Sequence, residues 1–158
     1  MAFYQLIAEQ NIPAPVSEVW KFISSPDNLK NITPEYLGFE MTTNGGNARM
    51  YPGMILAYKV SPILGIKLTW MSEITHVSDQ EYFVDEQRIG PYKMWHHQHR
   101  ITPIKGGVLM VDTVTYQPPF GLIGTIANTL IIKNQLNDIF EFRRLAVEKR
   151  FGKYIVVQ

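Results

Sequence analysis

The sequence predicts an α+β fold in which a curved, seven-stranded antiparallel sheet wraps around one long C-terminal helix. Three observations carry that expectation. From Tyr36 onward, apolar and polar residues alternate with period two for about eighty residues, as in half-buried strands joined by hairpins. From Leu122 to Arg150 no proline interrupts the chain, and a helix of that length extends on the order of 40 Å. Between the first strand and the sheet stand two helix-start signals, Pro13-Ala14-Pro15 and Ser25-Pro26. A sheet this large must bury one face, and curling around the helix does so economically.

Taken in order, Tyr4 to Gln10 reads as the first strand and stops at Ile12-Pro13. Val16, Val19, Trp20 and Ile23 then recur at i, i+3, i+4 and i+7, one face of a short helix. A second short helix runs through Leu29 and Ile32 and ends before Pro34. Leu37, Phe39 and Met41 alternate ahead of the turn Asn44-Gly45-Gly46-Asn47 and read as strand two. Met54 to Val60, then Ile66, Leu68 and Trp70, read as strands three and four. Glu81 to Ile89, Tyr92 to Pro103 and Val108 to Tyr116 complete the sheet, separated by turns at Gly90-Pro91 and near Lys105-Gly106-Gly107. The long helix opens after Pro118-Pro119 and ends at Gly152. Its first part, Phe120 to Ile132, carries no charge and is read as the lid of an apolar cavity, with Ile123, Ile126, Ala127 and Leu130 facing inward. Its second part is amphipathic, with Arg144 placed to pair with Glu141 and Glu148. Residues 152–158 form a short tail, expected to fray or to pair with a sheet edge or partner.

Composition narrows the function. A chain of 158 residues, 46% hydrophobic and 18% charged, suits one domain with one sizeable core. Fifteen basic and fourteen acidic residues leave a net charge of +1 with no basic cluster, which argues against a nucleic-acid partner. The absence of cysteine excludes disulfides, thiolate metal sites and a cysteine nucleophile. No segment reads as a signal peptide, and the uncharged run 120–132 is too short to span a bilayer, so no stable membrane insertion and a cytoplasmic location are expected.

The stretch most informative for chemistry is Trp95 to Asp112. Alternation puts Trp95, His97, His99 and Ile101 on one strand face, and Val108, Met110, Asp112, Val114 and Tyr116 on the matching face of the next. If Lys105 and Gly106 are the central turn residues, His99 lies opposite Asp112 and His97 opposite Val114. A histidine held by a carboxylate inside an apolar cavity is either a satisfied polar pair in the wall or an acid–base catalyst, His99 carrying the proton and Asp112 orienting it. His97, His99 and Asp112 could also ligate a metal, but no further ligand follows at a diagnostic spacing, and the reading is metal- and cofactor-free. Tyr58, Trp70, Phe83 and Tyr116 are read as core or cavity lining. Asp85 and Gln87 share the face of Phe83 and are read either as polar groups of the pocket or as solvated strand residues, since a two-residue turn at Gly90-Pro91 sets them beside His96 and only an extra residue or bulge brings them to His97.

Several of these residues also form an ordered set. Ile12-Pro13-Ala14-Pro15, Val19-Trp20, Asn28-Leu29, Thr33-Pro34, Phe83 to Gln87, Gly90-Pro91-Tyr92, Trp95 to His99, Asp112, Tyr116, Pro119, Gly121, Ile139-Phe140 and Arg143 resemble the START-like (SRPBCC) superfamily over about residues 3 to 151. Within it they look like the bacterial ligand-binding branch that also occurs fused to epimerase-like domains, of which no epimerase half lies within these residues. The resemblance implies the helix-grip fold, with a hydrophobic cavity between sheet and C-terminal helix. It implies no single reaction, because relatives include lipid carriers and polyketide cyclases. The expected partner is a small or medium hydrophobic molecule. The alternatives are a cyclase, dehydratase or isomerase using His99 and Asp112, or a regulatory domain that binds a protein partner or forms a homodimer.

Overall fold

The computed structural model describes residues 2–43, 49–63, 66–127 and 131–155. β1 (Tyr4–Ile12) leads into α1 (Val16–Ile23) and two 3-10 helices, Pro26–Ile32 and Glu35–Leu37. β2 (Glu40–Met41), β3 (Met54–Ile63), β4 (Ile66–Ser78), β5 (Tyr82–Ile89), β6 (Met94–Ile104) and β7 (Gly107–Gln117) follow, and then α2 (Gly121–Ala127) and α3 (Lys133–Phe151). The seven strands form one sheet in the order β1-β7-β6-β5-β4-β3-β2, with every neighbouring pair antiparallel. This is the helix-grip architecture.

α1 forms where its spacing says it should, opening at Pro15 and burying Val19, Trp20 and Ile23. The second helix is a 3-10 turn of the chain with Pro26 in its first turn. Strand two is shorter than the alternation of Leu37, Phe39 and Met41 suggests. Pro34 starts a further 3-10 turn, Gly38 ends it in the left-handed region at φ 56°, and only Glu40–Met41 pair with β3. The Asn44–Asn47 turn lies outside the described residues.

The sheet curls at irregular pairings. Register shifts fall between Val60 and Ile63 on β3, and between Met71 and Ser72 and between Ile74 and His76 on β4. Two apolar clusters fill its concave side. One joins Val19, Trp20 and Ile23 of α1 to Leu56, Phe83, Met110 and Val147. The other joins Trp70, Trp95, Val114 and Tyr116 to Leu136 and Phe140 of α3.

The described part of the C-terminal segment, 121–127 and 131–151, is helical throughout. Within it residues 131–132 wind as a π-turn, and residues 128–130 lie outside the described set. Ile123 and Ile126, expected to face the cavity, are 72% and 61% exposed. Ala127's side chain and Leu130 are outside the described part. Among the described residues, the charged half packs through Leu136, Phe140 and Val147, and Ile132 of the uncharged run packs beside them. Of the tail, Tyr154 is tied down by its hydroxyl, which donates to the carbonyl of Lys105 at 2.6 Å, and Ile155 is exposed.

Candidate functional site

Between the sheet and α3 lies a cavity of about 140 Å³. Tyr58, Val60, Trp70, Tyr92 and Trp95 line one end and Leu29, Met50, Leu56, Ile74 and Phe83 the other. Leu136, Ile139, Phe140 and Arg143 close it from the helix side. The aromatic end is braced by its own edges. Trp70 meets Trp95 at 5.1 Å and 90°, and Tyr92 sits 4.9 Å from Trp95.

The polar part of the wall comes from three adjacent strands. The two-residue turn at Lys105-Gly106, with Gly106 at φ 79°, sets His99 opposite Asp112 and His97 opposite Val114, as the turn count predicts. The β5–β6 connection holds the extra residue, so Asp85 pairs with His97 rather than with His96. Gln87 accounts for that connection. Its amide donates to the Tyr92 carbonyl at 2.7 Å and accepts from the Tyr92 N–H at 3.2 Å, replacing ladder bonds. Asp85 and Asp112 therefore flank the two histidines from either side.

The geometry is close and nearly closed to water. Asp112 Oδ1 lies 2.6 Å from His99 Nδ1 and 3.2 Å from His97 Nε2. Asp85 Oδ1 lies 3.4 Å from both His97 Nδ1 and His99 Nε2. The imidazole centroids are 3.7 Å apart, and Phe83 stacks on His99 at 4.2 Å. Behind Asp85 the Ser72 hydroxyl reaches Oδ2 at 3.4 Å, and Trp70 Nε1 donates to that hydroxyl at 3.0 Å. Arg143 enters from α3 with Nη1 3.9 Å from Asp112 Oδ1 and its guanidinium over the Phe140 ring.

Charge settles unevenly between the two histidines. Burial opposes a charged His99, but the Asp112 and Asp85 carboxylates outweigh it and raise its affinity for a proton. Burial and the neighbouring charge of His99 push His97 down to about 4. Burial raises both carboxylates, yet the histidines hold Asp85 below and Asp112 well below the usual carboxylate range. When His99 is protonated, its charge and that of the Arg143 guanidinium balance the two carboxylates. Tyr58, desolvated and facing the Asp85 charge, is pushed up and stays a phenol.

Of the expected site residues, Tyr58, Trp70, Phe83, Trp95, His97 and His99 line the cavity. Met110, Asp112 and Tyr116 are buried on the same concave face but outside this cavity, Met110 and Asp112 lining a neighbouring hollow between β1, β7 and α3, and Asp112 acts on the cavity through the histidines. Ile123 and Ile126 do not contribute. The sequence reading missed the helix contribution, although Leu136, Ile139, Phe140 and Arg143 sit at i, i+3, i+4 and i+7. A charge on that apolar stripe was the available signal. Arg144, by contrast, makes the expected surface pairs with Glu141 and Glu148. Asp85, His97 and His99 also offer three ligand atoms within 4.8 Å of one another, a grouping that could hold a metal ion.

Among the described residues, no helix is long and apolar enough to cross a membrane. No curated protein matches the sequence. Solved structures share the fold at low identity. The protein TTHA0849 of Thermus thermophilus is 20% identical with TM-score 0.73, over 94% of this chain and 97% of that one. CV1439 of Chromobacterium violaceum is 11% identical with TM-score 0.71, over 95% and 99%. The major latex-like protein 151 of Panax ginseng is 13% identical with TM-score 0.68, over 94% and 97%. The sequence itself matches the polyketide cyclase / dehydrase and lipid transport family across residues 12–140, a span that takes in α1, the strands β2 to β7 and the cavity-facing Leu136 and Phe140. The chain belongs to that family, and with it to the START-like (SRPBCC) superfamily.

Proposed function

We propose that this protein binds a small or medium hydrophobic molecule in the cavity between the sheet and α3. The observation that carries the reading is a cavity walled by aromatic and aliphatic side chains with one compact polar cluster, the composition of a site that holds an apolar body and orients one polar group. The ligand's ring or chain lies against Trp70, Trp95 and Tyr92, and a carbonyl or hydroxyl oxygen faces His99. The family match supports a hydrophobic ligand and leaves its identity open. The fluorescent probe 8-anilinonaphthalene-1-sulfonate tests the site. Ile139→Trp, which fills the helix side of the cavity, is expected to weaken probe binding at least tenfold in a folded protein, and unchanged affinity would exclude the cavity as the binding place.

A second reading, a cyclase, dehydratase or isomerase, rests on the 2.6 Å contact of His99 with Asp112. His99 lines the cavity with a raised proton affinity, so it can donate that proton to a ligand carbonyl while Asp112 holds the ring. Under this reading His99→Gln retains the probe but loses turnover of an aromatic polyketide-type substrate by about 10²-fold or more. Equal turnover by the variant would remove the catalytic role.

A further inference from the structure

We propose that Asp85, His97 and His99 bind one divalent cation of the zinc class at the cavity wall, with Asp112 as the group that orients both imidazoles. Asp112 Oδ1 faces His97 Nε2 at 3.2 Å and His99 Nδ1 at 2.6 Å. A carboxylate oxygen only accepts, so each of those nitrogens carries its ring's N–H. In the neutral rings this leaves the lone pairs on His97 Nδ1 and His99 Nε2, and both nitrogens lie 3.4 Å from the same oxygen, Asp85 Oδ1, the three atoms falling within 4.8 Å of one another. Three lone pairs thus converge on one place. A proton on His99 satisfies one of the two imidazole contacts and leaves the His97 lone pair against a carboxylate oxygen.

A cation satisfies all three. In tetrahedral geometry, ligand atoms about 2.0–2.1 Å from zinc stand roughly 3.4 Å apart, which is the spacing of Asp85 Oδ1 from each nitrogen. Two imidazoles and one carboxylate select a borderline ion over magnesium or calcium, which favour all-oxygen sets. The supporting contacts are those that metal-binding residues use. Asp112 receives the far N–H of both rings, and Ser72 holds Asp85 Oδ2 at 3.4 Å, leaving Oδ1 free to turn inward. All three ligands line the cavity whereas Asp112 does not, so the fourth position opens toward the space a ligand occupies. Loading replaces the His99 proton with the ion and requires no redox step.

Cobalt(II) added to the chelator-treated full chain is the test, read by its visible absorption and by metal content. The expected result is one ion per chain with an intense four- or five-coordinate spectrum. Asp85→Asn weakens binding at least tenfold, and Asp112→Asn, which touches no ion, by about 10–100-fold. His96→Ala, on the opposite face beside Glu86, changes it less than about twofold. Because ligand variants can lose their fold, zinc titration of the wild type followed by imidazole nitrogen NMR gives an independent reading, with His97 and His99 shifting and His96 unmoved. No stoichiometric binding by the wild type, affinity unchanged in Asp85→Asn, or loss in His96→Ala would overturn the proposal. None of these readings depends on whether the cavity also takes an apolar ligand.

Discussion

At the residue scale, the two histidines differ because one shares its proton with two carboxylates while the other meets a positive neighbour. In the unfolded chain His97 takes a proton near 6.5, and in the fold it resists until about 4. Between those values the unfolded state binds more protons, so stability falls as pH drops through the window, with a slope of up to ~1.4 kcal/mol per pH unit. His99, raised, is protonated in both states well below 6.5 and adds no slope there. Its own stabilisation is complete below 6.5 and is lost as pH rises through its folded value. Urea midpoints from pH 6 to pH 4, measured with a chelator present, are expected to decline in the wild type and to decline less in His97→Gln. Identical profiles would contradict the assignment. The opposition of His99 and Asp112 was legible because a two-residue turn fixes register by counting. Arg143 was legible only as a charge at the i+7 place of the stripe Leu136, Ile139 and Phe140, a signal that is easily passed over because helix charges usually face solvent.

At the element scale, the β6–β7 hairpin positions the cluster, and its glycines have unequal roles. A Cβ at Gly107 would lie 2.0 Å from the Ile12 carbonyl oxygen and 3.1 Å from Pro13 Cα, where β1 leaves the sheet. Gly106 has open space around it but a φ of +79°. Gly107→Ala is therefore expected to cost about 2–3 kcal/mol, because backbone must move, and Gly106→Ala about 1 kcal/mol, because only conformation is strained. Thermal denaturation of the two variants checks the order, and a Gly106 variant less stable than the Gly107 variant would contradict it. Period two identified the long strands, since their faces are buried on alternate residues. It overstated strand two, where the backbone demands of Pro34 and Gly38 override the alternation of Leu37 and Phe39. The β5–β6 connection also escaped a simple turn rule, because Gln87 supplies from its side chain the bonds that a tight turn would make from backbone.

At the scale of the whole molecule, sheet and helix enclose a space that neither fills. The helix-grip arrangement followed from two periodicities in sequence order, but the part of the helix that covers the cavity did not. Hydrophobicity pointed to the uncharged run, yet Phe120, Ile123 and Ile126 face outward and the charge-bearing stretch of α3 lies against Trp95 and His97. Spacing, rather than apolarity, picks out the residues that pack, Leu136, Ile139 and Phe140 recurring at i, i+3 and i+4.

The central claim, that an apolar ligand occupies this cavity, has an internal reporter in the three tryptophans. Trp70 and Trp95 line the cavity, whereas Trp20 is packed between α1 and Phe83. The most direct measurement is the indole N–H region of the NMR spectrum during titration with 8-anilinonaphthalene-1-sulfonate. The account predicts saturable shifts of the Trp70 and Trp95 signals with Trp20 nearly unmoved. Probe binding that leaves Trp70 and Trp95 in place would contradict it and put the apolar site elsewhere on the molecule.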